Sequence, residues 1–185
     1  MGLSPEMAIG QKQMLAFEGD EPIPEILATL RAGRVGGFTL FRHLNVVNPR
    51  QVRALTDTLQ RAAAASGQPP LLIAVDQETG QLTAIDNGTT PFPGNMALGA
   101  TGSTQLAHRA GYAIGRELAA MGINVNYAPV CDVNTNPQNP NVGIRSFGED
   151  PALVSRMCAA FITGMQSAGR SSHGQALPRR RRHGR

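Results

Sequence analysis

The stretch PLLIAVDQETG, residues 70–80, decides the fold class because an apolar run passes directly into a polar cluster. Its first part, residues 70–75, predicts a buried β-strand. Two similar runs, VGGFTLF (35–41) and INVNYAPV (123–130), predict two more strands, and a fourth is expected at residues 13–17. Nearly continuous apolar strands are typical of a parallel sheet that is covered on its faces.

Amphipathic helical patterns separate these strands. Four helices are expected, over residues 24–32, 50–66, 104–121 and 150–169. The second follows Asn48-Pro49, with Asn48 as its N-cap and proline at the first helical position. The alternation predicts parallel βαβ units, arranged either as an open doubly wound sheet or as a (β/α)₈ barrel.

Several classes of protein are excluded. No glycine-rich phosphate loop follows a strand, which argues against a dinucleotide-binding unit or a P-loop. No apolar run approaches the roughly 20 residues that span a bilayer, and residues 1–13 show no secretory signal. A cytoplasmic location without membrane contact is therefore expected. Cys131 and Cys158 form neither a disulfide framework nor a zinc pattern, so they are expected as small buried hydrophobes, with no metal or cofactor.

The net charge of +4 does not describe the body of the chain. Five of the 17 basic residues lie within residues 179–185, and the other 12 stand against 13 acidic ones. The basic character therefore belongs to a tail, and no nucleic-acid partner is expected for the domain. The oligomeric state is left open by the sequence.

Asp76 follows the strand at residues 70–75, at the strand end where a barrel binds its ligands. Its carboxylate accepts several hydrogen bonds and can hold neighbouring sugar hydroxyls. The alternative is that Asp76 only caps a turn or the next helix.

A long polar segment, residues 132–150, follows the strand at residues 123–130. Arg145 offers planar donors for a hydroxyl pair, a carbonyl or a carboxylate. The alternative for Arg145 is an ion pair with Glu149 or Asp150. Asp132 and Asn134 are expected to organise the loop.

Four motifs in order carry a resemblance: IAVDQE (73–78), PFPGNMALGA (91–100), NYAPVCDVN (126–134) and RSFGEDP (145–151). Together they resemble the N-terminal catalytic domain of glycoside hydrolase family 3, and within it the β-N-acetylglucosaminidase (β-hexosaminidase) branch. The resemblance covers residues 3–169. It implies the N-terminal half of a (β/α)₈ TIM-type barrel with about four βα units. It also implies that Asp76 and Arg145 bind the substrate sugar in the −1 subsite.

The sequence departs from the family pattern at several points. The usual Glu-Gly-Gly-Arg stretch reads Glu78-Thr79-Gly80-Gln81, and Ala84 replaces an arginine three residues further on. The family's Lys-His-Phe-Pro-Gly motif, its acid/base histidine and its nucleophilic aspartate would all follow Gly169, and none is present. No catalytic residue is therefore assigned, and the chain is expected to be inactive.

Residues 170–185 are expected to be a non-native, disordered basic tail. One permissible codon set for residues 173–184, read one nucleotide later, encodes Thr-Ala-Lys-His-Phe-Pro-Gly-Asp-Gly-Asp-Thr. This matches the missing motif, so a frameshift after about Gly169 is the expected origin of the tail. The alternatives are a functional basic tail or another artefact.

The resemblance implies a carbohydrate substrate and retaining hydrolysis of terminal β-linked N-acetylglucosamine in cell-wall or amino-sugar glycosides, as in cell-wall recycling. Two alternatives stay open: a β-glucosidase-type member of the family, and a non-catalytic protein that binds sugar or nucleic acid.

Overall fold

The computed structural model of the chain describes residues 3–169 and 175–176. The α-helices are α1 (Pro5–Gly10), α2 (Pro24–Arg31), α3 (Arg42–Asn45), α4 (Pro49–Ala65), α5 (Asn95–Ala100), α6 (Thr104–Ala120) and α7 (Pro151–Ala168). The strands are β1 (Met14–Leu15), β2 (Gly37–Thr39), β3 (Leu72–Val75), β4 (Gln77–Thr79), β5 (Leu82–Thr83), β6 (Val125–Asn126) and β7 (Gln175–Ala176). A 3₁₀ turn covers Gly143–Arg145.

The main sheet is parallel and follows the order β1-β2-β3-β6-β7. The four strands predicted from the sequence are its first four members, in chain order, which confirms the α/β class. Each strand is shorter than predicted. The strand expected at residues 123–130 is regular only over Val125–Asn126. The amide of Tyr127 adds one more bond to β3, and Pro129 further on has no N–H to donate to a ladder.

Strand β7 lies inside the segment predicted as a basic tail. Its two residues pair with β6, with Val125 opposite Gln175 and Asn126 opposite Ala176. The other residues of the segment 170–185 lie outside the described residues. The non-native character of the tail therefore stays a prediction.

The longer helices begin at the caps that the sequence indicates. The Asn48 side chain accepts a hydrogen bond from the amide of Gln51, and Pro49 is the first residue of α4. Asp150 accepts from two amides at the start of α7. Within residues 3–169, none of the helices combines the length and apolar character that a bilayer crossing requires.

Several short elements were not predicted. Helices α1, α3 and α5 have six, four and six residues, and the antiparallel hairpin β4-β5 follows β3 directly. Elements of this length carry too few residues to show a hydrophobic period. The hairpin and α5 both lie between the predicted strand at residues 70–75 and the predicted helix at residues 104–121.

The core lies between the helices and one face of the sheet. Phe38, Ile73 and Val75 belong to it together with the stripe of α4 formed by Val52, Leu55 and Leu59, which confirms the predicted stripe. Side chains alternate across a strand, so Leu72, Ala74 and Asp76 lie on the opposite face of β3. Leu72 on that face is 44% exposed, whereas Ile73 is fully buried.

Helices α6 and α7 pack closely because glycines line their contact. A Cβ atom at Gly111 would lie 2.2 Å from the carbonyl oxygen of Phe161, and one at Gly164 would lie 2.0 Å from that of His108. Any larger residue would force the helices apart. Along α6, Ala110, Ile114 and Leu118 are buried, whereas Leu106 is 40% exposed.

Candidate functional site

The candidate site lies at the carboxyl ends of β3 and β6. Asp76 directly follows β3 and is half-buried, and the amide of Tyr127 donates to the carbonyl oxygen of Val75 over 2.9 Å. This bond continues the β3–β6 ladder and places Asp76 opposite Tyr127. The polar segments after the two strands therefore leave the sheet side by side, as the sequence predicts.

Glu78 and Arg145 form a buried ion pair at the centre of the site. The Nε and Nη2 groups of Arg145 donate to the two oxygens of Glu78 over 2.6 and 2.5 Å, and Nη1 donates to the carbonyl oxygen of Asn141 over 2.8 Å. The side chains are 6% and 1% exposed. Fork geometry of this kind is the strongest form of an arginine–carboxylate pair.

The partner of Arg145 differs from the one that the sequence suggested. The alternative considered there was an ion pair with Glu149 or Asp150, yet the partner is Glu78, 67 residues away in the chain. Asp150 instead caps α7. The role of Glu78 was not predicted from the sequence, because nothing in its local sequence marks it as the partner of a distant arginine.

The surroundings of Arg145 keep it charged. The hydrogen bonds to Glu78 raise its pKa above the usual arginine value, burial opposes this, and the negative charges of Glu78, Asp76 and Asp132 raise the pKa further. Asp76 and Asp132 are therefore close enough to interact with the guanidinium. Three of its five N–H groups have protein acceptors, so among the described residues two remain available to a ligand.

Four buried side-chain oxygens near this ion pair have no hydrogen-bond donor among the described residues. They are Thr79 Oγ1, Asn95 Oδ1, Asp132 Oδ2 and Asn134 Oδ1. Thr79 adjoins Glu78, and Asn95 donates through Nδ2 to the carbonyl oxygen of Arg145 over 2.9 Å. A buried oxygen without a protein donor is costly unless an ordered water supplies one, so these four oxygens mark places where bound water would be stabilised.

Thr79 adopts a backbone conformation that suits glycine. Its φ angle is 85°, and it is the one non-glycine residue with positive φ among the described residues. The family pattern has glycine at this position. A β-branched residue is strained there, and such strain concentrates at functional sites.

Ser146 holds the segment after β6 in shape. Its hydroxyl donates to the carbonyl oxygen of Asp132 over 2.6 Å, and the amide of Gly148 donates back to the hydroxyl. The amide of Asn134 donates to the carbonyl oxygen of Gly148 over 3.0 Å. The sequence assigned the ordering of this loop to Asp132 and Asn134, and both take part in it through their backbone groups. The side-chain hydrogen bonds come from Ser146, Asn136 and Asn139.

Ala84 and Cys158 are buried, whereas Cys131, which was also expected to be buried, is only half-buried against the core. Ala84, which replaces the second arginine of the family pattern, packs in the core and offers no donor. Cys158 is buried as predicted, and both its hydrogen bond with Cys131 and its burial raise the pKa of its thiol. It therefore stays a neutral thiol at neutral pH. Within the described residues, no cluster of His, Cys, Asp and Glu side chains is arranged to hold a metal ion.

A parallel sheet with helices between its strands and polar groups at its carboxyl ends is the arrangement expected for part of a TIM-type barrel domain. Residues 6–176 match the family described as the glycosyl hydrolase family 3 N-terminal domain. The chain therefore belongs to glycoside hydrolase family 3.

Three similar proteins are informative. The beta-hexosaminidase A of Pseudoalteromonas piscicida is 39% identical over 188 residues, which cover 90% of this chain and 31% of that protein. The structure of a glycoside hydrolase family 3 beta-N-acetylglucosaminidase from Paenibacillus sp. str. FPU-7 is 42% identical with a TM-score of 0.88, covering 94% of this chain and 34% of that one. NagZ from Neisseria gonorrhoeae, solved with N-trifluoroacetyl-D-glucosamine, is 29% identical with a TM-score of 0.77. The match covers 86% of this chain and 47% of the NagZ chain.

The chain thus spans about a third to a half of the length of these proteins. The similarity of fold confirms the TIM-type barrel class that the resemblance implied. It also confirms the assignment to the β-N-acetylglucosaminidase-like part of the family.

Proposed function

We propose that this chain is the sugar-binding N-terminal part of a retaining β-N-acetylglucosaminidase, with Asp76 and Arg145 as its substrate-binding residues. One observation carries the proposal: Asp76 follows β3 at its carboxyl end, and its charge acts on the guanidinium of Arg145, which the buried Glu78 holds in place. Each sugar hydroxyl both donates and accepts hydrogen bonds, so a polyhydroxylated ligand satisfies this mixture of groups. The names of the similar proteins support N-acetylglucosamine as the sugar.

The proposed division of work follows from the chemistry of these groups. Asp76 accepts hydrogen bonds from two neighbouring hydroxyls, and Arg145 donates to a hydroxyl or to the acetamide carbonyl. Glu78 fixes the guanidinium plane, so the two available N–H groups point in a set direction at no further entropic cost. Glu78 is thus a positioning residue for Arg145.

We assign no role in cleaving the glycosidic bond to Asp76, Arg145 or Glu78. A retaining glycosidase needs an acid/base and a nucleophile, which the family supplies from the segment after the fourth βα unit. We propose that the 185-residue chain binds the sugar without hydrolysing it.

A binding experiment tests the role of Asp76. N-acetylglucosamine is titrated into the chain by NMR, and Asp76→Asn is expected to weaken the affinity at least tenfold, because it loses charge-assisted hydrogen bonds of about 1.5–3 kcal/mol each. Asp86→Asn, which alters an exposed carboxylate, is the matched control. Unchanged affinity in Asp76→Asn, or absence of binding to the wild-type chain, contradicts the proposal.

A chromogenic β-N-acetylglucosaminide assay tests the absence of hydrolysis. No turnover above background is expected for the purified chain. Turnover that disappears in Asp76→Ala would show that the chain holds a complete catalytic site.

A further inference from the structure

Phe41 is an exposed aromatic residue at the carboxyl end of β2. It is 36% exposed, and its backbone is extended, with φ −112° and ψ 140°. The amide of Leu40 donates to the carbonyl oxygen of Ala74 over 2.8 Å, which continues the β2–β3 ladder beyond the pair Thr39 and Ala74. In this register Leu40 lies opposite Val75, and Phe41 lies opposite Asp76.

The side chains of Phe41 and Asp76 share one face of the sheet. Phe38 and Leu40 point into the core, so Thr39 and Phe41 point to the opposite face, where Ala74 and Asp76 also lie. Neighbouring strands are about 4.8 Å apart. Continued by two residues, this register places the backbone of Phe41 next to that of Asp76 on the neighbouring strand.

Tyr127 flanks Asp76 from the other side. The bond from its amide to the carbonyl oxygen of Val75 places it opposite Asp76 on β6. Its hydroxyl lies 3.2 Å from the hydroxyl of Thr39, which belongs to β2. The Tyr127 side chain thus crosses the face of β3 to reach β2, on the face that also carries Asp76.

We propose that the sugar ring held by Asp76 packs against the aromatic ring of Phe41; this inference rests on the proposed function. A β-linked glucopyranose with equatorial hydroxyls presents an apolar face of axial C–H groups. Such a face is attracted to the electron-rich face of an aromatic ring. The position beside Asp76 lets one pyranose use the carboxylate through its hydroxyls and the ring through its C–H groups.

His43 contributes to the position of the Phe41 ring. The two ring centroids are 6.4 Å apart with an interplanar angle of 43°. Helix α3 begins immediately after Phe41, and the amide of Phe41 donates to Asn45 Oδ1 over 3.0 Å. Asn45 also donates to the carbonyl oxygen of Phe17, so the turn that carries Phe41 is anchored to β1.

The test uses methyl β-N-acetylglucosaminide, titrated by NMR into the 185-residue chain and three variants. Phe41→Leu is expected to weaken the affinity roughly three- to tenfold, the range typical of losing one aromatic contact, and Phe41→Tyr is expected to retain it. Tyr112→Leu is the matched control, because Tyr112 is 40% exposed on α6. Saturation transfer from the protein is expected to be strongest at the sugar protons H1, H3 and H5, which share one face, and to become even around the ring in Phe41→Leu.

The outcomes separate this inference from the proposed function. If Asp76→Asn loses affinity while Phe41→Leu binds like the wild-type chain with the same saturation pattern, the role of Phe41 is wrong and the sugar site stands. If Tyr112→Leu is the variant that loses affinity, the sugar lies elsewhere and both are wrong. If the wild-type chain does not bind the sugar, the proposed function fails and the role of Phe41 fails with it.

Discussion

The two ends of β3 differ in how fully the polar groups around them are hydrogen-bonded. At the amino end, the Gln60 side chain makes hydrogen bonds with both the amide and the carbonyl of Leu71, each 2.9 Å long. Asn124 likewise accepts from the amide of Ile73 and donates to the carbonyl of Leu71. At the carboxyl end, Thr79 follows a buried ion pair and keeps an unpaired oxygen.

This difference separates stability from binding within one sheet. Polar groups at the amino end satisfy each other, whereas Thr79 at the carboxyl end keeps an oxygen without a protein donor, at the end of the sheet where we propose that the sugar binds. TIM-type barrels divide their two faces in this manner. Substitutions at the two ends should therefore have different consequences, and three of them test the difference.

The largest effect is expected from Glu78→Gln. It leaves the buried charge of Arg145 without its counterion, so the free energy of unfolding should fall by about 3–5 kcal/mol. Urea denaturation followed by circular dichroism measures this. The control is Asp57→Asn, which breaks the exposed pair with Arg53 and should cost about 0.5 kcal/mol or less. Similar losses in both variants would contradict the central role of the Glu78–Arg145 pair.

At the amino end, Gln60→Leu should destabilise without affecting binding. The amide of Leu71 loses its acceptor in a buried position, which costs about 1–3 kcal/mol. Sugar affinity should stay within twofold of wild type, because the substitution lies at the far end of β3. Gln105→Leu, an exposed glutamine on α6, serves as control and should change stability by less than about 0.5 kcal/mol. If a folded Gln60→Leu chain lost sugar affinity, binding would not be confined to the carboxyl end of β3, and the proposed difference between its two ends would be wrong.

Thr79→Gly should stabilise the chain. The positive φ costs a β-branched residue about 1–2 kcal/mol, and glycine relieves it at an entropic cost of about 0.5–1 kcal/mol. The unpaired hydroxyl also disappears, so a net gain of about 1 kcal/mol is expected in urea denaturation. Thr83→Gly, in β5, should instead lower stability. Destabilisation by both substitutions would show that Thr79 is not strained.

The smallest effect concerns Glu6 in α1, outside both ends of β3. A hydrogen bond to its own backbone and one from Ser4 lower the pKa of Glu6. The associated stability is present above the pKa of the unfolded chain and is lost as pH falls through the lower folded value. An NMR titration should place the pKa of Glu6 below 4.5 and show Ser4→Ala moving it part of the way back. Identical titrations of both proteins would exclude the contribution of Ser4.

Much of this arrangement was predictable from the sequence, and the failures have physical causes. The positions of Asp76 and of the segment that contains Arg145, each after a strand, could be predicted because the apolar runs of those strands stop at polar residues. The pairing of Arg145 with Glu78 depends on two segments meeting in space, which no local pattern records. Phe41 was predicted within a buried strand, and only the register with β3 shows that it stands beside Asp76.

The most direct test of the central claim is a map of the binding site by amide chemical shifts. N-acetylglucosamine is titrated into the isotope-labelled chain, and the shifts are followed at every assigned amide. The account predicts the largest changes at residues 76–80, 132–134 and 145, with little change at Gln60, Leu71 and Asn124. Changes confined to the amino end of β3, or to the groove of about 780 Å³ lined by Leu106 and Tyr112, would contradict it.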